Sequence, residues 1–294
     1  MSTFPGFVLI RRHPRRGMIL VAVLWLLIFL GFLAVVLRMH MSGVIASVRA
    51  TEEKEAVRVL ADAGLEMAAA LVRAGPEDGV GTLPDVISGN VQTATGAVAV
   101  TVTNEALRID INTGAKPLIE GGLIAAGVSD GAARRIAEDI VNQRGKKTTS
   151  PPEGAPQTPQ QTGNASTLQS VSMLAAVANL PDAVALEAER TFTVSSGLEG
   201  VRLDQLDDKV VAAIPDIPAN VLKAIRDYRQ GKIGRDQMRA TVSQTPYYTE
   251  DQAMSWRVAL SASLPSGYVE NYDAVVIISP EADAPYLVLD WRRR

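Results

Sequence analysis

Residues 11–40 read RRHPRRGMILVAVLWLLIFLGFLAVVLRMH, and this stretch decides the architecture. From Met18 to Leu37 the run is uninterruptedly apolar. At about twenty residues it matches the length a helix needs to cross a bilayer. Arg11, Arg12, Arg15 and Arg16 precede it without an acid, and positive flanks are retained on the cytoplasmic side. The expected topology is single-pass, with the N-terminus inside and the rest of the chain outside the cytoplasm. A secretory signal would follow its apolar core with a small-residue cleavage site. Arg38-Met39-His40 stands there instead, so the helix is expected to stay on the protein.

Working outward, no proline interrupts Ser42 to Ala74. Val48, Ala56, Val59, Leu60, Ala63, Met67 and Leu71 recur at helical steps. Arg58 and Asp62, four apart, form a modest pair on the polar side. Gly75-Pro76 ends the pattern. The spacing predicts one helix of about 55 residues, roughly 85 Å at 1.5 Å per residue. Its transmembrane half is 18–37 and its amphipathic half, 38–74, is expected to pack on a domain.

Beyond a turn-rich stretch, Val98, Val100 and Val102 alternate with smaller or polar residues, the period of a half-buried strand. Leu107, Ile109 and Ile111 alternate likewise, with Asn104-Glu105-Ala106 as the expected hairpin connection. Strand patterns return at Trp256, Val258, Leu260 and Ala262, then from Tyr268 to Ile278 after Pro265-Ser266-Gly267, and from Tyr286 to Trp291. These segments, 91–111 and 254–291, predict a small, mostly antiparallel sheet of four or five strands. The intervening 112–250 reads as helical and holds a weak repeat. LRIDIN (Leu107 to Asn112) parallels VRLDQL (Val201 to Leu206), and AARRIAEDIVNQRGK (Ala132 to Lys146) parallels ANVLKAIRDYRQGK (Ala219 to Lys232). Between the copies, 146–166 is rich in Pro, Gln, Thr and Gly and is expected to be a mobile surface loop.

Composition narrows the chemistry. The 294 residues include no cysteine, so no disulfide or thiolate metal site exists. His13 and His40, the only histidines, flank the apolar run, which removes a histidine base or His/Cys zinc site from the domain. The net charge is −3; without the first seventeen residues it is near −7, with about 25 basic against 32 acidic side chains. That balance is a poor match for a polyanion. No nucleophile-and-base constellation is visible, and an enzyme is not expected. Asp204, Asp207 and Asp208 are expected to cap the next helix and form a solvated face rather than a metal site.

Basic leader, Gly17, then at once an apolar helix from Met18: this order resembles the type III signal of type IV prepilins and pseudopilins. In that family a membrane-embedded prepilin peptidase cuts after the glycine and methylates the new N-terminus. The resemblance implies a leader of 1–17, cleavage between Gly17 and Met18, and N-methylation of Met18. Most members carry Glu at the fifth mature position; here it is Ala22, as in the K-type minor pseudopilins of type II secretion systems, the general secretion pathway protein K family. Further stretches resemble that type: DAGLEMAAALVRAG (Asp62 to Gly75), RIDINTGA (Arg108 to Ala115), TLQSVSMLAAV (Thr167 to Val177), TFTVSSG (Thr191 to Gly197) and the closing strands up to Trp291. The similarity runs in order from about Arg16 to Trp291.

The resemblance implies an α+β, type IV pilin-like fold. A long N-terminal helix packs on a small antiparallel sheet, and a large helical insert, SAM-like or helix-hairpin-helix-like, interrupts the strands. It implies a subunit of the cell inner membrane with a periplasmic domain. That subunit caps the pseudopilus tip beside I-type and J-type partners, with the H-type nearby, and supports export of folded proteins. Ala22 suits a subunit with no neighbour above it. Some K-type subunits bind calcium in the insert; no ligand set is matched here, so no cofactor is assigned. The alternative is a membrane-anchored helix-hairpin-helix DNA-binding protein, since AAIPDIPANVLKAIRDYR (Ala212 to Arg229) resembles that module. Asp216 and Pro218 stand where its glycines would be. The first repels phosphate and the second lacks an N–H donor, so no nucleic-acid partner is expected.

Overall fold

A computed structural model describes residues 16–75, 83–144, 168–278 and 286–294. The expected leader up to residue 15 and the expected loop at 146–166 lie outside the described residues. Helix α1 runs unbroken from Arg16 to Arg73. The chain divides by compactness into 1–56 and 57–294, taken in turn here.

In the first unit, Leu20–Met39 is long and apolar enough to cross a membrane. Every one of its side chains is exposed.

In the second unit the end of α1 covers a five-stranded antiparallel sheet ordered β1-β2-β5-β6-β7. Its strands are β1 (Val86–Thr93), β2 (Gly96–Asn104), β5 (Ser255–Ser263), β6 (Val269–Ile278) and β7 (Tyr286–Arg293); β3 (Ile109–Asp110) and β4 (Phe192–Thr193) lie in the insert. The period-two reading holds. Val98, Val100 and Val102 of β2 and Trp256, Val258, Leu260 and Ala262 of β5 are all buried in one core with α1. The helix also ends as read, with Gly75 in the left-handed region at φ +73°.

The buried face of α1 differs from the expected one. Of the seven periodic positions only Leu60 is buried, and Val59 is 65 % exposed. Val57, Ala61, Gly64, Leu65, Ala68 and Val72 face the sheet instead. The segment is so rich in alanine and valine that two stripes, one residue or about 100° apart, read equally well. The chosen stripe carries the smaller residues, which lets helix and sheet approach. A Cβ built on Gly64 would lie 2.8 Å from Leu260 Cδ2 and 3.1 Å from Val98 Cγ2.

A second correction concerns Asn104-Glu105-Ala106, where no hairpin forms. Glu105–Leu107 is a 3₁₀ turn, and β3 pairs in parallel with β4, away from the main sheet. The cause is Asn104, which is fully buried. Its Oδ1 accepts the N–H of Ala106 and of Ala253, both at 2.9 Å, while its Nδ2 donates to the Ala253 carbonyl at 3.1 Å. Asn104 thus closes the base of the insert. The strand beside β2 is β5, with Asn104 opposite Trp256. Ile109 and Ile111 alternate because they enter the insert's own core. The sheet also starts earlier than residue 91, at Val86. Gly89 and Asn90 disguise that strand, and Gly89 is where Met67 lies across it: a Cβ there would meet Met67 Cε at 2.6 Å.

The insert comprises α2 (Lys116–Ala125), α3 (Asp130–Arg144), α4 (Val171–Val177), α5 (Asp182–Thr191), α6 (Asp208–Ala213), α7 (Ala219–Arg229) and α8 (Arg235–Val242). Its separate core includes Leu118, Leu123, Phe192, Leu203, Ile225 and Met238, each fully buried. Burial stabilises by about 1.5–3 kcal/mol per large side chain, enough to hold short helices that are marginal alone.

Candidate functional site

Gly17 and Met18 lie in the first turn of α1, and their side chains are outside the described residues. Ala22 follows one turn on, exposed within the apolar span. Its methyl group offers no charge to a neighbouring amine.

The weak repeat is real in three dimensions. Each copy enters through an Arg-x-Asp, at Arg108/Asp110 and Arg202/Asp204, turns, and continues as a helical hairpin: α2–α3, then α6–α7. The hairpin turns both need a left-handed residue, Gly127 at φ +103° and Asp216 at φ +60°. In both copies an arginine at the end of the second helix reaches back to the first turn. Arg144 donates to the carbonyls of Gly114 (2.8 Å) and Ile111. Arg229 donates to the carbonyls of Asp204 (3.1 Å) and Leu206 and to the Asp208 carboxylate. Burial holds the pKa of Arg144 below its usual value, and the nearby Asp110 carboxylate partly offsets this.

The aspartates play separate parts. Asp110 accepts the N–H groups of Asn112 (2.7 Å) and Gly197 (2.8 Å), tying the first turn to the segment after β4. Asp207 caps α6 as expected, accepting from the Lys209 N–H at 2.8 Å. Asp204 departs from the solvated face: its side chain is 1 % exposed and lies 3.6 Å from Arg202 Nε. Arg202 in turn pairs with Asp85 at 3.1 Å, joining the insert to the start of β1. Sequence reading missed this pair and Asn104. A lone charged or amide residue inside an apolar strand pattern is the signal that was there to find.

Calcium is the metal the resemblance raises, and the described residues do not fit it. No group of three or more His, Cys, Asp or Glu side chains converges among them. A pocket where carbonyls and aspartates gather, lined by Asp204, Leu206, Asp207 and Asp208, also holds Arg229. Its guanidinium already neutralises those oxygens where a cation would have to sit. The α6–α7 turn is likewise a poor phosphate site, because Asp216 is exposed there and Pro218 caps α7 without an N–H.

No protein-family model matches the chain, and no curated protein matches it. Among solved structures, it is similar to a chain of the GspK–GspI–GspJ complex of the enterotoxigenic Escherichia coli type 2 secretion system. The superposition covers 84 % of this chain and 99 % of that one, with a TM-score of 0.53 and 12 % identity. The fold is that of a K-type minor pseudopilin. The expected architecture is met: a helix on an antiparallel sheet, with a helical insert between two neighbouring strands. Both helical hairpins pack side chains into the core of this insert.

Proposed function

We propose that this protein is a minor pseudopilin of a type II secretion system that caps the pseudopilus tip and joins I-type and J-type partners, with the H-type nearby. The observation that carries the proposal is the K-type fold, with its insert splitting β2 from β5, placed behind an N-terminal helix able to cross a membrane. The similar structure is a complex of K, I and J subunits, which supports the same partnership here. The leader would be removed between Gly17 and Met18 by the prepilin peptidase and Met18 methylated, leaving the subunit in the inner membrane with its domain in the periplasm. Ala22 supports the tip position, because a terminal subunit has no neighbouring amine to neutralise. The bulky insert supports it too, since it would obstruct a subunit stacked above. Its role is structural, without catalysis.

Intact mass spectrometry of wild type and Gly17→Leu, expressed with the peptidase, tests the proposal. Wild type is expected to begin at N-methylated Met18, and the variant to stay full-length and fail to support secretion. A Gly17→Leu chain cleaved like wild type would overturn it.

A further inference from the structure

Among the described residues of the acidic domain is an arginine-rich cleft that the proposed function does not use. Where the insert meets β5, β6 and the end of β7, a cavity of about 340 Å³ is lined by Arg108, Arg190, Arg257, Arg292, Arg293 and Arg294. Only two carboxylates, Glu189 and Asp273, share the lining. The rim is open: the side chains of Arg190, Arg293 and Arg294 are 67 %, 56 % and 63 % exposed, whereas Arg257 at the floor is 19 % exposed.

Five of the six arginines have a carboxylate partner. Arg257 holds the fully buried Glu105 at 2.8 Å, Arg190 holds Glu187 at 2.8 Å, and Arg293 holds Glu270 at 2.6 Å. Arg292 pairs with Asp290 at 2.7 Å and Arg294 with Asp273. Arg108 differs. Its described hydrogen bond, 2.7 Å long, goes to the neutral carbonyl of Glu189. Burial, and then the charge of Arg257, pushes its pKa down to about 10, while the Glu105 and Asp273 carboxylates partly offset this. A planar guanidinium with unused donors at the base of an open cleft matches a carboxylate, which it can take through two parallel hydrogen bonds. Val171 and Leu186 form an apolar wall beside it, and Leu186 is 54 % exposed.

We propose that this cleft receives an acidic peptide segment of a partner protein, one carboxylate seated on Arg108 between Arg257 and Arg292 and an adjacent apolar side chain on Val171 and Leu186. The volume admits one or two side chains. Glu189 and Asp273 in the walls disfavour a long polyanion, as does the negative domain around the cleft. Peptide carboxylates spaced by apolar residues escape both penalties. The inference stands on the cleft alone and does not depend on the secretion role.

Fluorescence anisotropy on the full-length protein in neutral detergent tests it, with fluorescein-labelled EELEE as probe and labelled KKLKK and pentathymidylate as comparisons. Saturable EELEE binding is expected, weakened at least tenfold in Arg108→Gln and severalfold in the exposed double variant Arg190→Ala/Arg292→Ala. The double variant keeps the test decisive if Arg108→Gln misfolds. Equal binding of EELEE and KKLKK would overturn the proposal, as would EELEE affinity unchanged in the folded variants. Tighter binding of pentathymidylate, lost in the same variants, would make the cleft a polyanion site and overturn it equally.

Discussion

At the scale of single residues, the insert is held by side chains that replace what a metal or disulfide would do elsewhere. Arg229 is the clearest: one guanidinium joins the carbonyls of Asp204 and Leu206 and the Asp208 carboxylate at the end of α7. Charged donors to backbone carbonyls are worth about 1.5–3 kcal/mol each, and removal leaves the acceptors short of partners. Arg229→Ala is therefore expected to cost about 2–3 kcal/mol in urea unfolding, while Arg226→Ala, exposed on the same helix, stays near wild type. The same guanidinium lies among the aspartates of the pocket lined by Asp204, Asp207 and Asp208. EDTA is expected to leave the Tm of the wild-type protein unchanged; a drop reversed by added calcium would show that Arg229 does not occupy a cation's place. None of this was legible beforehand, because Arg144 and Arg229 look like ordinary basic residues near helix C-termini, and only the fold brings the turn carbonyls to them.

Among elements, what the sequence could disclose depended on whether a pattern was local. The strands of β2 and β5 were readable because alternation follows from the pleat alone. The rotation of α1 was not, since its two apolar stripes differ only in which one fits the sheet, and Gly64 takes its meaning from Leu260, almost two hundred positions away. The repeat was visible as similarity, yet the contact between its copies was not. There α2 lies on α6, with Gly121 against the backbone of Ile214: a Cβ would sit 2.7 Å from Ile214 Cα and 2.8 Å from its nitrogen. Backbone cannot rotate out of the way. Gly121→Ala is expected to destabilise by about 1–3 kcal/mol through forced separation, despite a helix-propensity gain of about 1 kcal/mol. Gly131→Ala meets nothing within 4 Å on α3, so its effect carries the opposite sign, a gain of about 0.5–1 kcal/mol. Urea midpoints of the two variants check the pair.

For the whole molecule, two cores are built from one chain. The α1–sheet core and the insert core are distinct clusters, clasped at Asn104 and by the Arg202–Asp85 pair. That division explains how an insert running from β2 to β5 leaves the pilin-type sheet intact: its two ends leave from adjacent strands in register. It also explains why the candidate cleavage site and the insert could be read separately, the first from charge and hydropathy and the second from repeat and resemblance. The proposed secretion role joins them, and partner assembly is its most direct test. The protein from Arg49 onward, which contains the whole second compact unit, should be co-expressed with the I-type and J-type subunits of its own system and followed by size-exclusion chromatography. The expected result is co-elution of all three in one peak that withstands dilution. Elution of this chain alone, while the I-type and J-type subunits associate without it, would contradict the assignment.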